Sequence, residues 1–506
     1  MPVAGRAVDD HQAVAGPAGQ HHDGGLVPRH LVLQLPKRHH RDVHRGGGSR
    51  RWRSGLRPAP DRDGDALWLG LRPDRHRRHR RLDRAARPVP PPQAWDARGR
   101  VSTRPSRRAV LGGLAAAGGL SAASVAGWRL LRPRPPNVIL ILTDDQGYND
   151  VGCYYNPPDP SAAYGHIRTP HLDAMATEGL KLTQFYVAAS ICTPSRAALM
   201  TGCYPPRVGF GDKEGRVGVL TPRSVAGLNP GEITLAELFR EAGYATGCVG
   251  KWHLGHHPPF QPLAQGFDEF FGIPWSANQH PLPLVHNLKS LRLLPNRPIL
   301  VGQFTQAAIT FAARHREHPF FLYLAYSAPH EPWAVLPGYR TEGSLYGDVI
   351  EMVDAHIGQL LSSLDELGLT NDTLIVFTSD NGPWLQPRGG SAFPFRGGKA
   401  TAWDGGFRSP CLWRWPGVLP AGQTIEPLVT ALDLFPTFAR LLDVPLPQDR
   451  ILDGHDAWPV LTAGAPSPTE AFFYYARGRL EAVRNDRFKL MFDNPVRDPP
   501  LQQALY

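Results

Sequence analysis

Cysteine is scarce in this chain of 506 residues. Five Cys are too few for a disulfide scaffold, so any fold must rest on an apolar core. Long charge-free apolar runs of the multi-span membrane kind are also missing, while an apolar content of 42% suits a globular core. Glutamate is absent from residues 1–100, and lysine occurs there once, as Lys37. That segment holds 21 Lys+Arg against 10 Asp, a net +11; residues 101–136 hold six Arg and no acid. Residues 137–506 hold 28 Lys+Arg against 35 Asp+Glu, a net −7. A formal charge of +10 ordinarily suggests nucleic acid or an anionic surface as partner. Here all of it comes from the first 136 residues, and no nucleic-acid partner is expected for the mildly acidic body.

Segment 1–100 has no hydrophobic period and carries nine of the 21 His. Runs such as Arg72-Pro-Asp-Arg-His-Arg-Arg-His-Arg-Arg81 cannot bury enough apolar surface to offset chain entropy. Three readings stand: a disordered extension, a basic nucleic-acid arm, or a region ahead of the true start, with Val101 (a GTG codon) as first residue. The last is favoured. Downstream, Arg104-Pro-Ser-Arg-Arg-Ala-Val-Leu-Gly-Gly-Leu-Ala-Ala-Ala-Gly-Gly-Leu120 is a charged region followed by a weakly apolar one, and the pair Arg107-Arg108 resembles a twin-arginine export signal. Ser124-Val-Ala126 offers a cleavage site of small residues, and Arg129–Pro136 reads as a linker. The alternative for 109–127 is a Gly/Ala-rich helix, which its glycines disfavour. If translation starts near Val101, the expected location is periplasmic or secreted.

The body reads as α/β, with a large, mostly parallel central sheet flanked by helices. Asn137-Val-Ile-Leu-Ile-Leu142, Phe320–Ala325 and Thr373–Phe377 are continuous apolar runs of the kind buried on both faces of a parallel sheet. Helical patterns cover Leu235–Ala242, Val349–Leu367 and Leu432–Leu442. Short pieces at Phe472–Tyr475, Leu480–Arg484 and Phe488–Phe492 predict a small antiparallel C-terminal subdomain, whose completeness is left open by the chain end at Tyr506. The expected divisions are 1–100, 101–136, a catalytic domain over 137–465, and the C-terminal subdomain over 466–506.

Two carboxylates, Asp144 and Asp145, end the first apolar run, at the edge where α/β sheets build their sites. Side by side they repel unless a cation joins them, and such oxygens suit Ca²⁺ or Mg²⁺. An N-cap or a solvated turn is the plainer alternative. Asp380-Asn381 repeats the setting after the run at 373–377. Read alone, Ile191-Cys192-Thr193-Pro194-Ser195-Arg196 is a helix start with proline in its first turn and Ser195 as cap. Lys251 and Lys399, read alone, are solvated lysines, and His253 and His330 ordinary histidines.

Together these stretches carry a resemblance. Cys192-Thr-Pro-Ser-Arg196-Ala-Ala-Leu-Met-Thr201-Gly202 resembles the signature of the sulfatase family, whose cysteine is oxidised to formylglycine. Gly250-Lys-Trp-His-Leu-Gly255, Ala328-Pro-His-Glu-Pro332, and Phe395-Arg-Gly-Gly-Lys399 with Trp403-Asp-Gly-Gly-Phe-Arg408 resemble its other motifs, in family order. The likeness spans about residues 137–492, and Gly266–Ser276 looks most like the arylsulfatase A branch. An alkaline-phosphatase-like scaffold is implied.

The resemblance implies these roles. Cys192, as hydrated formylglycine, supplies the nucleophile and a metal contact; Asp144, Asp145, Asp380 and Asn381 hold one divalent cation, Ca²⁺ in most of the family. Arg196 orients the formylglycine, Lys251 and Lys399 clamp sulfate oxygens, His330 protonates the leaving alcohol, and His253 is the base that releases sulfate. The implied partners are a sulfated small molecule or glycan and, during maturation, a formylglycine-generating enzyme. Two departures appear: Cys203 stands where the family usually has Arg, and Asp404 where it often has Glu. Cys153, Cys203, Cys248 and Cys411 allow three disulfide pairings, all open. Rival functions are phosphonate or phosphodiester hydrolysis on the same scaffold, and a non-catalytic member. Oligomeric state is not readable.

Overall fold

The computed structural model describes residues 135–157, 166–211, 218–293, 298–341, 343–385, 389–476, 478–492 and 504–505. Contacts divide the chain into units 1–103 and 104–506, and every described residue belongs to the second. The expected N-terminal extension and export signal lie outside the described residues.

Ten strands form the main sheet. Their spatial order is Gln423–Ile425, Leu180–Leu182, Cys411–Arg414, Thr373–Ser379, Asn137–Thr143, Phe320–Ala325, Ala245–Lys251, Glu269–Ile273, Pro283–His286 and Lys289–Leu293. The five strands from 373–379 to 269–273 run parallel. Antiparallel pairs join the flanking strands on either side, except that the outermost strand 423–425 runs parallel to 180–182. The sheet is thus mixed at its margins and parallel where the apolar runs lie, as the sequence predicts.

Strand 137–143 shows why its residues 138–142 are all apolar. Val138, Leu140 and Leu142 enter one core cluster, and Ile139 and Ile141 enter the other, on the opposite face. Helices Leu235–Glu241 and Leu434–Leu442 pack on the first face. Helices Pro170–Thr177, Ile299–Arg314 and Leu345–Glu366 cover the second. The last of these begins at Ser344, whose hydroxyl accepts the Gly347 N–H, and the 235–241 helix opens with a Thr234/Glu237 capping box.

Residues Phe472–Ala476, Arg479–Arg484, Lys489–Met491 and Ala504–Leu505 form the separate antiparallel sheet expected of the tail. A third apolar cluster joins it to the catalytic region, with Phe472, Tyr474 and Met491 meeting Tyr186, Ala402 and Phe407. All five cysteines are free thiols, so none of the three pairings forms. Among the described residues, no helix is long and apolar enough to cross a membrane.

Candidate active site

The parallel register brings the site together. Strands 137–143 and 373–379 are neighbours, with Thr143 opposite Ser379, so Asp144-Asp145 and Asp380-Asn381 emerge side by side at the C-terminal edge. The Asp380 N–H donates to Thr143 O at 3.0 Å, and the Asp145 N–H donates to Asp380 Oδ1 at 3.1 Å. Strand 320–325 leads to His330, and strand 245–251 ends on Lys251 with His253 just beyond. Gly250 makes the last approach: its φ is +111°, and a Cβ there would stand 1.8 Å from Ala325 O. Cys192 is the first residue of helix Cys192–Thr201, which ends at Gly202 with φ +68°. Ser195 is not its cap; the N-cap is Ile191, and the Ser195 hydroxyl donates to Asp380 O.

Arg196 is fully buried and organises the carboxylates. Its Nε and Nη2 each lie 2.9 Å from Asp380 Oδ2, its Nη2 is 3.5 Å from Asp144 Oδ2, and its Nη1 donates to Lys251 O at 2.9 Å. Lys251 Nζ lies 2.5 Å from Asp144 Oδ2, and Lys399 Nζ lies 2.6 Å from Asp145 Oδ2. Burial alone would raise the Asp144 pKa, but Lys251 above all, then His330, Arg196 and Lys399, hold it well below the carboxylate range. Burial, followed by the Asp144 charge, pushes Asp380 up instead. Burial pushes the Cys192 thiol up to about 12, and its Sγ donates to Asp144 Oδ1 at 3.6 Å.

The two histidines differ. His330 Nδ1 donates to Glu331 O at 2.8 Å, which leaves Nε2 facing the site, 3.6 Å from Asp145 Oδ2 and 3.4 Å from Ser276 Oγ. His253 Nε2 donates to Leu220 O at 2.8 Å, while its buried Nδ1 has no hydrogen-bond partner among the described residues. Burial, then the Lys251 charge, lowers the His253 pKa well below 6.5, so the ring is neutral with a lone pair on Nδ1. Ser276 is a site residue with no role in the sequence reading: its hydroxyl accepts from Lys251 Nζ at 3.1 Å and bridges to His330. Its signal was its place at the end of the Gly266–Ser276 run, which pointed to a branch of the family and gave no function to the serine.

Part of the expected metal set comes together: Asp144, Asp145 and Cys192 converge, while the Asp380 carboxylate is engaged by the Asp145 N–H and Arg196. Asn381 Nδ2 donates to Asp145 Oδ1 at 2.7 Å, while Asn381 Oδ1 is buried without a hydrogen-bond partner among the described residues. One donor atom each from Asp144, Asp145, Cys192 and His330 lies within 4.8 Å of the others, so His330 stands beside this group. Hard oxygens and an orphaned amide oxygen fit a divalent cation.

The Sulfatase family model matches residues 136–444. The chain belongs to the sulfatase family. Arylsulfatase A of Homo sapiens is 39% identical to this sulfatase over 396 residues, covering 71% of this chain and 75% of the relative. Steryl-sulfatase of Mus musculus is 37% identical over 444 residues, with coverages of 70% and 69%. The crystal structure of Ps i-CgsB in complex with k-i-k-neocarrahexaose has a TM-score of 0.64 at 31% identity, covering 74% of this chain and 86% of that one. This sulfatase is a sulfuric ester hydrolase. Its Cys203, at the unusual position, is buried and donates to Thr201 O and Ile451 O. The same turn is sealed by Asp453, which accepts the Tyr204 N–H and both Nε and Nη2 of Arg207.

Proposed function

We propose that this sulfatase, once exported, cleaves the sulfate monoester of a sulfated small molecule or glycan with formylglycine made from Cys192 and a Ca²⁺ ion at Asp144, Asp145, Asp380 and Asn381. One observation carries this reading. Cys192 begins a buried helix beside Asp144, Arg196, Lys251 and Lys399, yet its thiol is held protonated and is a poor nucleophile as it stands. Conversion by a formylglycine-generating enzyme supplies a hydroxyl nucleophile in its place, and the cation supplies Lewis acidity and charge neutralisation.

The chain's own groups do the rest. Lys251 and Lys399 present ammonium groups to an anionic sulfate, in a site shielded from water where charge acts strongly. His330, anchored through Nδ1, presents Nε2 to the leaving oxygen as the proton donor, with Asp145 Oδ2 3.6 Å away. His253, neutral and tethered through Nε2, takes a proton at Nδ1. The glycan arm of the proposal is supported by the carrahexaose complex of Ps i-CgsB.

The test is peptide mass spectrometry across Cys192 after co-expression with the generating enzyme, with turnover measured on aryl sulfate, sulfated oligosaccharide and aryl phosphodiester. Formylglycine with preferred sulfate turnover is expected. Unmodified Cys192 in active protein, or a higher kcat/KM on the phosphodiester, overturns the reading.

A further inference from the structure

We infer that the C-terminal sheet positions Lys399 and Asn381 through one buried side chain, Lys489. The link rests on the reading above that Lys399 binds sulfate.

Lys399 belongs to a segment without strand or helix, so tertiary contacts alone place it. Its N–H donates to Pro383 O at 2.9 Å, and the Ala400 N–H donates to Ser190 O at 2.8 Å. Asn381 is tied to the same structure from the other side. The Gly382 N–H donates to Gly406 O at 3.0 Å, and the Gly405 N–H donates to Arg396 O at 2.9 Å. These backbones touch directly. A Cβ on Gly382 would stand 1.8 Å from Gly405 O, and one on Gly405 would stand 2.1 Å from Gly397 O. Backbone at 405–406 therefore buttresses both the residue after Asn381 and the approach to Lys399. A shift there moves both, because no side chain lies between to absorb it.

The buttress is helix Asp404–Phe407, only four residues long, which cannot hold itself. Its first side chain is its anchor. Asp404 Oδ1 accepts from Tyr474 OH at 2.9 Å and from Lys489 Nζ at 2.7 Å, and Oδ2 accepts from Tyr186 OH at 3.2 Å. Lys489 Nζ also donates to Ala402 O at 2.9 Å and lies 3.6 Å from the centre of the Tyr474 ring. Both Tyr474 and Lys489 come from the C-terminal sheet, where strand Lys489–Met491 is itself paired on both sides. Only 9% of Lys489 is exposed, so its ammonium is committed to this loop. Removing it leaves the half-buried Asp404 carboxylate without its main counter-charge. Lys489 acts on the site through Asp404 and Ala402; it is a positioning residue.

The test uses the full chain with Cys192 converted, carrying Lys489→Met, Lys489→Arg or Lys399→Met. Readouts are KM and kcat on an aryl sulfate, and the affinity for inorganic sulfate by calorimetry. Lys489→Met is expected to weaken sulfate binding and raise KM about tenfold, with a smaller change in kcat, since about 1.4 kcal/mol of lost alignment is a factor of ten. Lys489→Arg restores most of this, because a guanidinium keeps the charge at Asp404. Tyr474→Phe removes one donor but keeps the ring, and gives a smaller shift in the same direction; it decides the matter if Lys489→Met does not fold. Unchanged sulfate affinity in folded Lys489→Met and in Tyr474→Phe, beside weakened affinity in Lys399→Met, overturns the link alone. Unchanged affinity in Lys399→Met overturns the sulfate assignment and the link with it.

Discussion

Lys251 Nζ lies 2.5 Å from Asp144 Oδ2, and both side chains are shut off from solvent. Neither charge survives alone at that depth. Replacing Lys251 by Met leaves a buried carboxylate short of its nearest cation, a change that costs about 3–5 kcal/mol. Urea unfolding of Lys251→Met is expected to show a loss of that order, and kcat/KM is expected to fall by at least about 100-fold as sulfate loses a positive contact. A stability within about 1 kcal/mol of the parent would mean that Arg196 alone balances Asp144.

The pH profile follows from His253. Its pKa is depressed below 6.5 by burial first and then by Lys251, so the folded protein keeps it neutral where a free histidine would charge. A base that must be neutral loses activity only below its own pKa. The acid limb of kcat/KM is therefore expected to lie below pH 6.5 and to change on His253→Gln. Stability has the matching sign: as pH falls through 6.5 the unfolded chain binds a proton that the folded chain refuses, so this histidine makes the fold less stable in acid. Thermal melts of parent and His253→Gln between pH 5 and 8 check this, with the variant losing less stability on acidification.

Much of this was legible because the central strands are buried on both faces. Asn137–Leu142, Phe320–Ala325 and Thr373–Phe377 are apolar without interruption, and the chemistry follows their ends. Strand Ala245–Lys251 was hidden, since Gly247 and Gly250 dilute its apolar signal while serving close approach to Phe311 and Ala325. The three-residue strands at 180–182 and 423–425 are too short to read as pattern. Helix Ile299–Arg314 escaped because Ile299, Val301, Thr305, Ile309 and Thr310 give it β-branched character. The site residues carried by motifs could be named at once. Ser276 and Lys489 could not, because their partners lie 25 to 87 residues away and meet only in the fold.

Thiol counting separates converted from unconverted protein. Five cysteines are free in the structure. Denatured, unreduced protein is expected to titrate with one thiol fewer after conversion of Cys192 than before it, with no change on added reductant. A larger deficit would reveal a disulfide among the other four.

Chelation tests the cation. Asp144, Asp145, Asp380 and Asn381 are held close in the folded state alone, so a bound ion stabilises the fold by mass action, about 2.7 kcal/mol at 100 times Kd. A chelator is expected to lower both Tm and turnover, with Ca²⁺ restoring them. In Asn381→Leu, where the orphaned amide oxygen is gone, the Ca²⁺-dependent part of Tm is expected to shrink. An unchanged response would remove Asn381 from the set.

The central claim is that sulfate esters are cleaved by a nucleophile made from Cys192. Its most direct measurement is aryl sulfate hydrolysis by the parent and by Cys192→Ala, each produced with a formylglycine-generating enzyme and checked for equal thermal stability. The account predicts turnover by the parent and a loss of at least about a thousandfold in the variant. Full activity in folded Cys192→Ala would contradict it.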